Sequence, residues 1–404
     1  MLSSIKFWTR LAIWNILIVA ILGMVMRYKI LFSLEWLDQK SLMHAHSHFA
    51  FAGWVSLSLM VLMVYSLGIT RLTPVYKRIL ITHSIAAYGM LFSFPFQGYG
   101  GFSIFFSTLS VIVSYFFSWY CWQDCKHHVA ARWFGGALIF LVLSSVGPFS
   151  LGYFMTHPTD QQYILASIYY YLHFQYNGWF FFACMGLAVH ALAERNVQLL
   201  SSNTVFNLFA VACVPTCFLS ITWMTVPVWA YVAVIFAAGM QLFAWMLFCR
   251  ELVRYPVVFG PLPKWLFILS AIGVTIKVVL QALSAIPSLS SVVYGYRPIV
   301  IGYLHLVLLV IITLCIIGYM ITNELVSLTA TGIAGIILFV SGVFLNELLL
   351  MIQGITALGY IHLGYMNELL FVIAFIMVAG LLFLNLGQYF ITTKKYNYDK
   401  RHHA

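Results

Sequence analysis

Met43-His44-Ala45-His46-Ser47-His48-Phe49-Ala50-Phe51-Ala52-Gly53-Trp54 sets three histidines at alternate positions directly before an apolar run. That run is long enough to cross a bilayer as a helix. Imidazole is costly in hydrocarbon unless something binds it. Three imidazoles in five residues therefore ask for a ligand, and a metal or a haem is the natural candidate. On a helix His44 and His48 share a face while His46 points elsewhere, so at most two of the three can serve one centre. The plainer alternative is a polar patch at the membrane interface, where histidine is tolerated without a ligand.

Outward from this stretch, the composition agrees with a membrane solvent. The 404 residues are 63% hydrophobic and only 7% charged, which no soluble domain of this size can bury. The net charge of +10 taken alone suggests nucleic acid. The basic residues fall instead in short loops between apolar runs and form no stripe, so no nucleic-acid partner is expected. Seven cysteines without a CxxC or paired loop spacing argue against a disulfide framework. The basic, apolar N-terminus continues past signal-peptide length and reads as a retained first helix.

Hydropathy over a window of about 19 residues marks twelve spans, at approximately 8–27, 42–69, 78–96, 102–123, 133–155, 163–193, 205–225, 228–249, 265–287, 298–322, 328–352 and 366–390. Residues 1–404 are thus expected to form a single transmembrane domain, an all-α polytopic helical bundle in contact with the lipid bilayer. With the N-terminus inside, fifteen Lys and Arg residues fall on the cytoplasmic side and four on the other. By the positive-inside rule both termini are cytoplasmic, and the expected location is a bacterial inner membrane.

This topology places the helix-borne histidines. Spans 2, 6 and 10 all run from outside to inside. His44, His46 and His48 open span 2. At about 1.5 Å per residue, His173 and His305 join them in the outer half of the membrane. Lys277 in span 9 and Glu347 in span 11 are rare intramembrane charges, which mark a functional site or a pair.

Each candidate has a bland counterpart. His305, in Gly302-Tyr303-Leu304-His305-Leu306, reads alone as a satisfied core residue. Its depth match to span 2 turns it toward a haem ligand. His173 sits in a run dense in hydroxyls and aromatics, Tyr169-Tyr170-Tyr171-Leu172-His173-Phe174-Gln175-Tyr176-Asn177-Gly178-Trp179. That run is either an aromatic packing belt or the wall of a ligand pocket. Cys213 and Cys217 share a helical face and read as ordinary buried cysteines, with a soft metal pair as the alternative.

Twelve spans with histidines in spans 2, 6 and 10 resemble subunit I of the haem-copper oxidase superfamily, and most nearly its nitric oxide reductase and cbb3-type branches. The resemblance implies a haem b between a span 2 and a span 10 histidine. His46, with His48 as the alternative, and His305 match those ligand positions. The family's span 10 His-x-His reads Tyr303-Leu304-His305 here, so Tyr303 stands where a second, high-spin haem would be held. The span 6 pattern His-x-x-x-Glu-Gly-x-Trp becomes His173 to Trp179, with Asn177 for the glutamate and the tryptophan one place early. Span 7 has no histidine. The resemblance therefore implies a divergent member without the standard binuclear centre. One haem b is expected, a second on Tyr303 is open, and copper or non-haem iron on His173 with His44, His48 or the cysteines has an incomplete ligand set. A weaker resemblance, carried by His44-Ala45-His46, is to the NnrS family of twelve-span haem proteins.

The leading expectation is a redox protein of electron-transfer or O2/NO chemistry, an oxidoreductase if it turns over. Tyr303, Asn177 and His173 would line the distal space, and Tyr176, Asn177, Lys277 and Glu347 would serve that pocket or a proton path. Quinol or a separate cytochrome c would supply electrons, and partner subunits are open. The rivals are a secondary transporter with a histidine-lined path and a cofactor-free accessory subunit.

Overall fold

The structure is a computed structural model. It describes all residues except 1–3, 225, 256–258, 287–288, 290–296, 362 and 403–404, and for 389–402 it describes the backbone alone. It is 83% helix. We number the helices by span: α1 (Ile5–Leu31), α2 (Gln39–Ser66), α3 (Pro74–Gln97), α4 (Gly101–Asp124), α5 (Ala131–Thr156), α6 (Gln161–Ala193), α8 (Val228–Val253), α9 (Pro261–Ser284), α10 (Arg297–Thr322), α11 (Ala330–Leu358) and α12 (Met366–Gln388). Eleven helices among the described residues are thus long and apolar enough to cross a membrane. The twelfth expected span, α7, is Ser202–Cys213 followed by Pro215–Ile221, bent by 42°. Pro215 has no N–H to donate and breaks the helix there. The protein is a polytopic membrane protein with helices matching all twelve hydropathy spans.

Contacts divide the chain into two compact units. Unit 1 is Met1–Val113 with Met320–Ala404, and unit 2 is Ser114–Tyr319. In unit 1, α11 and α12 meet backbone to backbone. A Cβ on Gly335 would lie 2.5 Å from Leu384 N, and one on Gly380 would lie 2.5 Å from Phe339 N. Small residues allow such approach where lipid leaves no hydrophobic drive between helices. Asn385 of α12 donates to Ile13 O of α1 at 3.2 Å. In unit 2, Gly273 of α9 leaves room for Ile311 of α10, and Ser270 Oγ donates to the Ile311 carbonyl at 2.8 Å. Large apolar side chains such as Phe96 and Trp229 are exposed, as lipid-facing surface should be.

Three helices change their winding partway. Residues Ala50–Ser56 of α2, Phe174–Phe180 of α6 and Leu306–Thr313 of α10 are π-helical. π-helical turns are rare and concentrate at functional sites. Each of these segments begins within two residues of a histidine: His48, His173 and His305.

Candidate functional site

In unit 1 the site is built on α2. Asp38 starts the helix, its carboxylate accepting from Ser41 N at 2.7 Å. That hydrogen bond holds the Asp38 carboxyl below its ordinary range. The 3.6-residue period then puts His44 and His48 on one face, with ring centroids 6.4 Å apart. Gly98 ends α3 with φ +55°, a conformation that favours glycine, and the turn delivers Tyr99 to these histidines. His44 meets Tyr99 edge-on at 4.7 Å. His48 stacks on Phe94 at 4.4 Å, and its Nε2 pairs with the Tyr99 hydroxyl at 3.3 Å. Burial raises the Tyr99 phenol, so its proton stays on. His44 Nε2 is buried and has no hydrogen-bond partner among the described residues. An open pocket beside this end of α2 is lined by Glu35, Trp36, Asp38, Ser41, Pro95 and Phe96.

His46 faces α1 instead. Its Nδ1 lies 3.1 Å from the Val19 carbonyl. Gly23, one turn along α1, gives the ring its place, since a Cβ there would lie 3.3 Å from His46 Cε1. The π-helical segment that follows is tied to its neighbours. Asn15 Nδ2 donates to Gly53 O at 2.6 Å, Tyr88 donates to Asn15 Oδ1 at 2.5 Å, and His83 Nε2 pairs with Ala52 O at 2.9 Å.

In unit 2, His305 places Nδ1 2.8 Å from the Ile301 carbonyl, four residues back on its own helix. His46 and His305 thus share one arrangement, a ring Nδ1 held by a backbone carbonyl. That bond puts the proton on Nδ1 and makes Nε2 the basic nitrogen, the tautomer that a metal-binding histidine requires. Both residues fit an iron ligand on this ground.

His173 is different. Its Nε2 donates to Cys213 O at 2.8 Å, and its Nδ1 accepts from Asn177 Nδ2 at 3.1 Å. The break in α7 frees that carbonyl, because Cys217 N bonds to Val214 O instead of reaching back four residues. Thr216 Oγ1 also donates to Cys213 O, at 3.1 Å. Both ring nitrogens of His173 are occupied, so it is placed as a satisfied core histidine. No group of three His, Cys, Asp or Glu that could hold a metal occurs among the described residues. Cys213 takes part through its carbonyl, and its thiol lies 3.9 Å from His173 Nε2.

Tyr176 and Tyr303 come together edge-on, 6.2 Å between centroids. Lys277 and Glu347 each have a local partner. Lys277 Nζ lies over the Phe181 ring at 5.1 Å, and Asn346 Nδ2 donates to Glu347 Oε1 at 3.2 Å. Tyr99, Phe94, Asn15, Tyr88 and His83 were not singled out from sequence. Asn15 carried a usable signal, a fully amidated side chain in the middle of an apolar span. The chain matches neither a protein-family model nor a curated protein.

Proposed function

We propose that this protein is a membrane haem protein of redox type, with His46 and His305 as iron ligands through Nε2. The observation that carries the reading is the Nδ1-to-carbonyl bond made by both histidines, at 3.1 Å to Val19 O and 2.8 Å to Ile301 O. A π-helical turn begins after each of the two histidine sites, which adds support. A bound haem b would supply one-electron transfer, or O2 or NO chemistry. The chain's own residues orient the imidazoles and keep their Nδ1 protons in place. Tyr303 remains the ligand we assign to a second haem. Quinol or a separate cytochrome c would supply the electrons, and the open pocket lined by Lys29, Glu35, Trp36 and Phe96 is where we would place a quinol. We assign the protein to a bacterial inner membrane with both termini cytoplasmic, from its loop charges.

The test is a reduced-minus-oxidised optical spectrum of protein purified from haem-replete cells, wild type beside His305→Ala and His46→Ala. A sharp low-spin b-type signal in wild type, lost in both variants, is the expected result. Wild-type protein with no absorbance in that region would end the haem reading.

A second reading is favoured by one observation. The broken α7 with its freed Cys213 carbonyl is a device that secondary transporters use at their binding sites. Substrate uptake into proteoliposomes by haem-free protein would decide for it.

A further inference from the structure

Unit 2 holds a buried lysine that has no carboxylate partner among the described residues. Lys277 is 2% exposed, and its Nζ rests over the Phe181 ring. A ring quadrupole attracts a cation but does not neutralise it. The carboxylates of unit 2 are all engaged elsewhere or lie at helix ends. Asp124 ends α4, Asp160 caps α6 through Gln162 N, Glu194 faces His190, and Glu251 accepts from Leu200 N and Ser201 N. Among the described residues no carboxylate pairs with Lys277. A lone charge at this depth costs several kcal/mol unless something balances it, to order of magnitude.

The same region holds unpartnered acceptors. Asn177 Oδ1, Gln241 Oε1 and Gln281 Oε1 are buried without a hydrogen bond. They come from α6, α8 and α9, and their residues are 4%, 3% and 6% exposed. Gln281 follows Lys277 by one turn on the buried face of α9. Asn177 precedes Phe181 by one turn on α6 and binds His173. Gln241 reaches Thr216, whose hydroxyl shares the Cys213 carbonyl with His173.

The two deficits point to one ligand chemistry. An unbalanced positive charge calls for an anion, and unpartnered amide oxygens call for a donor. A halide would leave the oxygens unpartnered, and a cation would add to the ammonium. We propose that Lys277, with Asn177 and Gln281, binds a small monovalent oxyanion that carries a hydroxyl, bicarbonate being the simplest. The ligand is small because every residue named is more than nine-tenths buried. The site is independent of the haem reading.

The experiment is equilibrium dialysis of radiolabelled bicarbonate against the full-length protein in detergent at pH 8, with nitrate and chloride as competitors. Nitrate has the same charge and plane but no O–H. Saturable binding is expected, with nitrate and chloride competing only at about tenfold or greater excess, the worth of one unmade buried hydrogen bond. Lys277→Met should abolish binding, and Lys277→Arg should retain it. Gln281→Leu keeps the charge and should weaken bicarbonate but not chloride, which keeps the proposal testable if Lys277→Met does not fold. No saturable binding to wild type, binding unchanged in Lys277→Met, or nitrate and chloride binding as well as bicarbonate would each overturn it.

Discussion

Helices α2 and α6 both carry a histidine at the start of a π-helical turn, yet the two histidine sites have opposite chemistry. On α6, His173 spends both ring nitrogens, on a carbonyl at 2.8 Å and an amide at 3.1 Å. On α2, His46 has its Nδ1 held by a carbonyl, and His44 has a buried Nε2 with no partner. A fully satisfied imidazole rigidifies a core, while a carbonyl on Nδ1 sets the tautomer that an iron ligand at Nε2 requires. A histidine inside a membrane helix is therefore read by which of its nitrogens the fold engages, not by its depth.

The contrast is most sharply broken by paired alanine variants. His46→Ala should remove the haem signal entirely, and His173→Ala should leave it in place, both read from the optical spectrum. Haem lost equally from both would erase the distinction. Next in size is stability. His173→Ala leaves Cys213 O and Asn177 short of a partner and opens a cavity, for a cost of about 3 kcal/mol. Thermal unfolding in detergent, beside His44→Ala as the control, measures it. His44 loses no hydrogen bond through Nε2, so that control should move less.

Gly23→Val probes the cradle of His46. The added Cβ alone would lie 3.3 Å from Cε1. The ring must yield, at about 1–2 kcal/mol, and the spectrum should weaken while the protein still folds. Tyr99→Phe removes the bond to His48 and should cost about 1 kcal/mol by the same unfolding assay.

The smallest effect is at Asp38. Its carboxyl is depressed in the folded state by its bond to Ser41 N, so its stabilisation is present above the ordinary aspartate pKa. It is lost as pH falls through the depressed folded value. Asp38→Ala should lower the melting temperature by about 1–2 °C at neutral pH. That difference should vanish in acid, and a difference that persists there would mean the cap acts through something other than charge.

Several features were legible in the sequence. The twelve hydropathy spans match the helices, including the one that Pro215 breaks. The shared face of His44 and His48, and the different direction of His46, followed from helical spacing alone. The approach of Tyr176 to Tyr303 was expected only as a common lining. Tyr99 and Phe94 were missed because they reach the histidines through a turn at Gly98, and spacing along one helix carries no trace of a neighbour. The state of His173 was equally hidden, since its partner is a main-chain carbonyl freed forty residues away.

What the sequence by itself determined is where the chain must be helical and that lipid is its solvent. Those follow from composition and period, which are sums over many residues and survive local exceptions. Which nitrogen of each histidine is engaged was decided only by the tertiary structure. So were the π-helical turns of α2, α6 and α10, and the lack of a carboxylate partner for Lys277 among the described residues. The reason is that a hydrogen bond needs a partner within about 3 Å, and for His46 and His173 that partner is a backbone carbonyl of another helix, Val19 O and Cys213 O. Every residue type carries a backbone carbonyl, so nothing in the order of side chains marks which one a histidine will meet.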